Sequence, residues 1–192
     1  INSKNLNAYL NRGYAKLNLG DYLGVIVDVS KVIELNAEYL DAYLLLGSSK
    51  NELQDYHGSI ASYSKAIEID AKNAMSYFGR GFARTSLEDY SSAIDDYTTA
   101  IKLDPKFVDA YINRASIKGI LEDYSGAIAD YSKAITLTPN DPLPYTSRGL
   151  IKEKSKDMEG ACKDWRKASA LGDDNASLFV RNAVLLFDCR PF

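Results

Sequence analysis

The sequence is poor in the residues on which most catalytic and metal chemistry depends. Its 192 residues include one histidine, His57, and two cysteines, Cys162 and Cys189. A zinc site needs more ligands than these at suitable spacing. A Ser-His-Asp arrangement or a glycine-rich phosphate loop has no local signature in this chain. We therefore expect no catalytic residue, no metal and no cofactor, and we interpret the protein as non-enzymatic.

Two cysteines are also too few for a disulfide framework. We favour the interpretation that Cys162 and Cys189 are free thiols in or near helices. A single bridge that ties the last helix down is the alternative, and neither arrangement fixes the compartment.

Strong charge of one sign and long apolar runs are absent as well. The 23 basic and 26 acidic residues give a net charge of −3, and no long Lys/Arg run is present, so we expect no nucleic-acid partner. No apolar stretch reaches the roughly eighteen residues that a membrane span needs. The chain begins at Ile1 rather than at a methionine, which we interpret as the start of a fragment or of a processed protein.

What the sequence does contain is an internal repeat of 34 residues. Three residue series keep this step, one of aspartates, one of tyrosines and one of small residues. The series are Asp21, Asp55, Asp89, Asp123 and Asp157; Tyr9, Tyr43, Tyr77, Tyr111 and Tyr145; and Gly13, Gly47, Gly81, Ala115 and Gly149. Three classes of residue on one period indicate a chain of similar structural units.

Each repeat has the apolar spacing of two helices, which we name helix A and helix B. The periodic aspartate suits the N-cap of helix B, because its carboxylate can accept backbone N–H groups of the first turn. Pro105 and Pro139 fall between repeats, where they interrupt no helix. The Val25-Ile26-Val27 run alone is typical of a strand, but the repeat register predicts helix there. The sequence therefore predicts an all-α protein.

The order of aromatic, small and proline residues resembles the tetratricopeptide repeat. In the third repeat the pattern is carried by Tyr77, Gly81, Ala93, Tyr97, Ala100 and Pro105. The resemblance covers five repeats, roughly 6–39, 40–73, 74–107, 108–141 and 142–175. It implies a single domain over 1–192, built as a right-handed α-solenoid of antiparallel helix pairs. We expect the apolar segment at about 175–188 to form a helix that caps the last repeat.

Four repeats carry an arginine on helix A, sixteen residues before an aspartate on helix B. The pairs are Arg12 with Asp28, Arg80 with Asp96, Arg114 with Asp130 and Arg148 with Asp164. The second repeat lacks both members and has Leu46 and Ser62 instead, which favours an ion pair within each repeat. An arginine row that binds an anionic ligand is the alternative. For the basic series Lys16, Lys50, Arg84, Lys118 and Lys152, we expect stems packed on tyrosine rings and charges in water.

The resemblance also implies a concave groove lined by the A helices. The groove residues that it selects are Leu10, Asn11, Tyr14, Leu44, Phe78, Phe82, Ile112, Asn113 and Leu150. Exposed apolar patches of this kind mark interaction sites. We therefore predict an adaptor that binds a protein or peptide with apolar side chains, and acidic residues in the lining favour a neutral or basic ligand. Asn11 and Asn113 are available to bond the backbone of such a ligand.

Two other functions remain open from the sequence. One is a self-associating scaffold, with Val25, Val29 and Val32 as a contact between copies in a homo-oligomer. The other is the regulatory part of a longer protein. The subclass of the family that clamps chaperone C-termini needs inward lysine and arginine, which the groove positions do not supply.

Overall fold

The computed structural model describes residues 3–187, and these residues form helices and turns only. The helices are α1 (Ser3–Asn18), α2 (Tyr22–Leu35), α3 (Leu40–Glu52), α4 (Tyr56–Ile69), α5 (Ala74–Ser86), α6 (Tyr90–Leu103), α7 (Val108–Ile120), α8 (Tyr124–Leu137), α9 (Pro142–Lys154), α10 (Met158–Ala170) and α11 (Asp174–Phe187). Odd-numbered helices α1 to α9 are the A helices of the five repeats, and α2 to α10 are the B helices. The all-α prediction is confirmed.

The chain divides after Pro105 into two compact units. The N-terminal unit contains α1 to α6, and the C-terminal unit contains α7 to α11. Within each unit, consecutive helices pack against each other, and so do the A helices of neighbouring repeats. A single domain over 1–192 stays a prediction.

Every turn between helices A and B uses the same backbone device. The residue before the periodic aspartate adopts a left-handed conformation, with φ of 74° at Gly20 and 62° at Glu122. The aspartate that follows accepts a hydrogen bond from a backbone N–H of helix B, as Asp123 does from Gly126 at 2.9 Å. The predicted N-caps are therefore confirmed. The left-handed residue could not be predicted from the sequence, because four of the five residues there are not glycine.

Small residues on the A helices make room for large rings on the B helices. Tyr63 on α4 lies between Gly47 on α3 and Gly79 on α5, and a Cβ atom added to Gly47 would lie 2.7 Å from the tyrosine ring. In the C-terminal unit, Gly149 on α9 similarly faces the indole of Trp165 on α10. The predicted close approach of the helices is therefore present within the repeats and between neighbouring repeats.

The first repeat is packed differently from the others. Val25, Val29 and Val32 on α2 are fully buried, in one cluster with Leu6, Leu10 and Leu45. The helical prediction for this segment is confirmed, but the valines cannot form a contact between copies. That part of the self-association hypothesis was wrong, because the three side chains fill the core of the first repeat. Val29 stands where the later repeats carry an aromatic ring, and Val25 and Val32 stand where they carry serine or alanine.

The last repeat is followed by α11, as predicted. Gly172, with φ of 98°, ends the preceding helix, and the ring of Phe179 on α11 lies 5.4 Å from that of Trp165. The helix ends at Phe187, so residue 188 of the predicted cap lies outside the described part. Cys162 is buried and disulfide-bonded, which corrects the preferred interpretation of a free thiol. Cys189 lies outside the described residues.

Candidate partner-binding face

The predicted arginine–aspartate pairs form within each of the four repeats. In the fourth repeat Arg114 donates two hydrogen bonds to Asp130, from Nε at 2.9 Å and from Nη2 at 2.7 Å. Arg80 and Arg148 bind Asp96 and Asp164 in the same two-point geometry, and Arg12 binds Asp28. These aspartates are buried, so the pairs connect helix A to helix B rather than forming a row for an anionic ligand.

The second basic series also reaches these aspartates, which corrects the prediction that its charges lie in water. Lys118 Nζ lies 2.8 Å from Asp130 Oδ2, and Lys152 Nζ lies 2.8 Å from Asp164 Oδ2. Lys16 and Arg84 make the same contact in the first and third repeats. Each buried carboxylate therefore has two cationic partners, because a single arginine leaves acceptor sites of the carboxylate unfilled. We call this arrangement the charged seam.

The two cations hold the aspartate of the first repeat in its ionised form. Hydrogen bonding from Arg12 is the largest cause of a lowered pKa at Asp28, and hydrogen bonding from Lys16 lowers it further against the opposing effect of burial. The arginine, lysine and aspartate residues that repeat along this sequence therefore form ion pairs with each other within the fold.

The second repeat is built without a charged seam. The hydroxyl of Ser62 donates to the carbonyl of Gly58 at 2.7 Å. Lys50, which has no buried aspartate to meet, lies 3.4 Å from the same carbonyl and 3.9 Å from Asp55. The joint loss of arginine and aspartate thus leaves no buried charge without a partner.

On the other side of the A helices lie the predicted groove residues, and we call this surface the A-helix face. In the N-terminal unit, Tyr14 is 42% exposed and Phe82 is 43% exposed. Asn11 is exposed, while Leu44 and Phe78 are half-buried. Phe78 also packs on Tyr97, with 5.7 Å between ring centroids.

Leu10 does not belong to the exposed surface. It is only 6% exposed and lies in the buried cluster of the first repeat. The sequence placed it on the face because its position in the repeat is an inward one. The repeat position alone does not show that Leu10 is buried between α1 and α3, against the valines of α2.

In the C-terminal unit, Ile112, Asn113 and Leu150 are half-buried on the A-helix face. A cavity of about 300 Å³ opens beside Leu150. Its lining combines A-helix residues with one ring from α8: Ser116, Gly119, Ile120, Tyr131, Ser147, Leu150, Ile151, Glu153 and Lys154.

Tyrosines of the B helices support this face from below through their hydroxyls, which the sequence reasoning missed. Burial raises the pKa of Tyr131, and hydrogen bonds to Ser147 and Ser116 partly offset the shift. In the N-terminal unit, the hydroxyl of Tyr97 lies 3.2 Å from that of Thr85 on α5. The 34-residue step of Tyr63, Tyr97 and Tyr131 was a usable signal. The step alone does not show that their hydroxyls meet serine and threonine of the A helices.

The described residues offer no metal-binding site beside this face. No three of their metal-ligating side chains come together as a metal-binding group, and His57 is exposed. None of the helices within residues 3–187 is long and apolar enough to cross a membrane.

Family comparisons agree with this architecture. One family model, described as TPR repeat, matches residues 47–85 and 120–156. A second, described as tetratricopeptide repeat, matches residues 74–107. The chain belongs to the tetratricopeptide repeat family. TPR domains are typically non-enzymatic modules for protein–protein interaction, so the fold supports protein or peptide partners. A search of curated proteins found no match.

Solved TPR structures superimpose on most of the chain. A MamA crystal structure matches with a TM-score of 0.78 and 27% identity, over 86% of this chain and 96% of MamA. PilF of Pseudomonas aeruginosa matches with a TM-score of 0.84 and 19% identity, over 97% of this chain and 86% of PilF. YrrB, a TPR protein with an unusual peptide-binding site, matches with a TM-score of 0.75 and 16% identity, over 91% and 90%. These likenesses confirm the TPR solenoid fold.

Proposed function

We propose that this TPR protein is a non-enzymatic adaptor that binds a partner protein or peptide through the A-helix face. In the N-terminal unit the contact residues are Tyr14, Leu44 and Phe82, with Asn11 beside them. In the C-terminal unit they are Ile112, Asn113 and Leu150, next to the cavity of about 300 Å³. The partner contributes apolar side chains to both surfaces.

One observation carries this proposal: the exposed rings stand at a repeat position whose residue type the fold does not dictate. That position is occupied by Tyr14, Ser48, Phe82, Ser116 and Leu150 in the five repeats. Tyr14 and Phe82 remain more than two-fifths exposed. Serine serves the same place in two repeats, so packing within a repeat does not require an aromatic ring. An exposed apolar patch without a structural reason is typical of an interaction surface.

Capture of partners from native lysate tests the proposal. We expect a Tyr14→Ala, Phe82→Ala, Ile112→Ala variant to lose the proteins that the wild type captures. Phe78 is left intact because it packs on Tyr97. The matched control is Leu53→Ala, Leu87→Ala, Leu121→Ala, which removes exposed apolar side chains from the turns between helices A and B. If both variants capture the wild-type set, the A-helix face is not the binding site.

Self-association is a second candidate function, favoured by a different surface. A stripe of exposed apolar residues runs with a four-residue step from the turn between α1 and α2 along α2. It consists of Leu19, Leu23 and Val27, and Leu23 is 67% exposed. At the place of Leu23 the later repeats have His57, Ser91, Ser125 and Glu159. A homo-oligomer through this stripe would be detected by light scattering across a concentration series, with and without reductant. A monomer at all concentrations would exclude it.

A further inference from the structure

Among the described residues, the free charges on the A-helix face of the N-terminal unit are acidic. The basic side chains described on α1, α3 and α5 all contact groups of helix B or of the turn before it. Arg12 and Lys16 bind Asp28, Arg80 and Arg84 bind Asp96, and Lys50 meets Gly58 and Asp55. The described basic side chains of these helices are therefore directed toward helix B or the turn before it rather than toward the face.

Two carboxylates, Asp41 and Glu52, remain on the α3 part of this face. Neither forms an ion pair with any residue that the structure describes. Asp41 lines a cavity of about 260 Å³ together with Glu38, Tyr39 and Leu40, and none of the described basic side chains lines it. An incoming cation would therefore meet carboxylates that have no competing cationic partner among the described residues.

These carboxylates lie among the aromatic residues of the face. Burial, followed by the charge of Asp41 and the proximity of Tyr39, raises the pKa of Tyr14. The charge of Glu52 raises the pKa of Tyr22, which also hydrogen-bonds to this carboxylate. Tyr14 thus stays a neutral ring beside an anionic group. An aromatic face next to a carboxylate favours lysine or arginine, whose apolar stem packs on the ring while its charge meets the acid.

On the basis of the proposed function, we propose that the N-terminal unit selects a partner segment in which lysine or arginine alternates with bulky apolar residues. The apolar residues pack on Tyr14, Leu44 and Phe82, and the basic residues lie against Asp41 and Glu52. The cavity of the C-terminal unit offers no such selection by charge, because it is lined by both Glu153 and Lys154.

Three labelled pools of short synthetic peptides test this inference by fluorescence anisotropy. All pools share Leu, Phe and Met at alternate positions, and the remaining positions hold Lys/Arg, Gln/Asn or Asp/Glu. We expect the basic pool to bind about tenfold more tightly than the neutral pool at low salt. This preference should shrink as salt is added, since the carboxylates are solvent-accessible.

Matched variants locate the effect. Asp41→Asn with Glu52→Gln should abolish the preference for the basic pool and leave affinity for the neutral pool unchanged. Glu88→Gln with Asp95→Asn changes the net charge equally at exposed carboxylates off the face, and it should preserve the preference. Thermal melts of both variants verify that each is folded.

Every other result overturns the inference. A preference for the neutral or acidic pool, a basic preference that survives Asp41→Asn with Glu52→Gln, or no binding of any pool would each contradict it. Lysate capture that depends on Tyr14, Phe82 and Ile112 would still support the adaptor function in these cases, so the two proposals fail separately.

Discussion

The two sides of an A helix use their side chains in opposite ways. Toward helix B, the charged seam repeats nearly unchanged, and every described carboxylate in it has two cationic partners. On the A-helix face, the residue type changes from repeat to repeat, and Asp41 and Glu52 have no cation in the described fold. Residues that keep the 34-residue step therefore maintain the solenoid, while residues that vary along it are available for a ligand.

The second repeat sharpens this comparison because it lacks the seam. Leu46 and Ser62 stand where the other repeats have arginine and aspartate, yet α3 and α4 have the same bounds relative to the repeat as α5 and α6. The seam is thus one of two solutions for joining a helix pair. A repeat that kept only the arginine or only the aspartate would be unfavourable, since a buried charge without its partner is strongly destabilising.

The largest expected effect on stability comes from removing the arginine of one seam while its aspartate stays in place. We predict that Arg114→Leu lowers the free energy of unfolding by about 3 kcal/mol, because Asp130 is left buried with Lys118 alone. Arg114→Leu with Asp130→Ser reproduces the second repeat and should lose clearly less. Urea unfolding of both variants measures the difference. Equal losses would show that the arginine stabilises the repeat without the aspartate.

Glycines at one repeat position should respond in opposite directions to the same substitution. Gly149→Ala places a Cβ against Trp165, and we expect a loss of about 1–2 kcal/mol from overpacking. Gly13→Ala meets nothing closer than Val29 Cγ1 at 3.7 Å. It should gain up to about 1 kcal/mol from the better helix propensity of alanine. Thermal melts compare the two, and a loss at both positions would contradict the packing difference between repeats.

A smaller effect is expected when the seam of the first repeat is titrated. The lowered pKa of Asp28 means that its stabilising contribution is complete above its ordinary value of 3.8 and is lost as the pH falls through the folded-state pKa. Arg12 is more than half exposed, so solvent screens its contribution. Asp28→Asn should reduce the decline in stability on acidification. An unchanged acid profile would mean that other carboxylates account for it.

The smallest effect concerns the left-handed turn residues. Glu122→Gly should stabilise the protein by about 0.5 kcal/mol, because relief of the left-handed strain exceeds the added chain entropy of glycine. Gly20→Ala, the reverse change in the first repeat, should destabilise it by about 1 kcal/mol. Calorimetric melting temperatures resolve such shifts. A stabilising Gly20→Ala would contradict the backbone explanation.

The repeat made most of the fold predictable, but it concealed departures within single repeats. The step of 34 residues was enough to predict the helix pairs, the N-caps such as Asp123 and the partners of Arg80 and Arg114. It could not show that Leu10 is buried, because that depends on the valines of α2 and on contacts between α1 and α3. The second cation of each seam was also missed, since a helical wheel places Lys118 near a tyrosine but does not show how far its ammonium reaches.

The candidate site was less predictable for a physical reason. Inward positions follow from the register of the A helices, and Tyr14 and Phe82 are exposed there as expected. Exposure also depends on the sizes of neighbours in the adjacent repeats. For this reason Leu44 and Phe78 are less exposed than Tyr14 and Phe82, although all four lie on the same face. Tyr131 lines the cavity beside Leu150 from a B helix, whereas Tyr97 is fully buried and its hydroxyl meets Thr85 of the A helix.

The most direct test gives the third repeat the seam residues of the second. Arg80→Leu, Arg84→Lys and Asp96→Ser reproduce Leu46, Lys50 and Ser62 while leaving Tyr14 and Phe82 in place. In capture from native lysate, we predict that this folded variant retains the wild-type partners and that Tyr14→Ala with Phe82→Ala loses them. The opposite pattern, loss with the neutral seam and retention without the two rings, would show that the charged seam binds the partner.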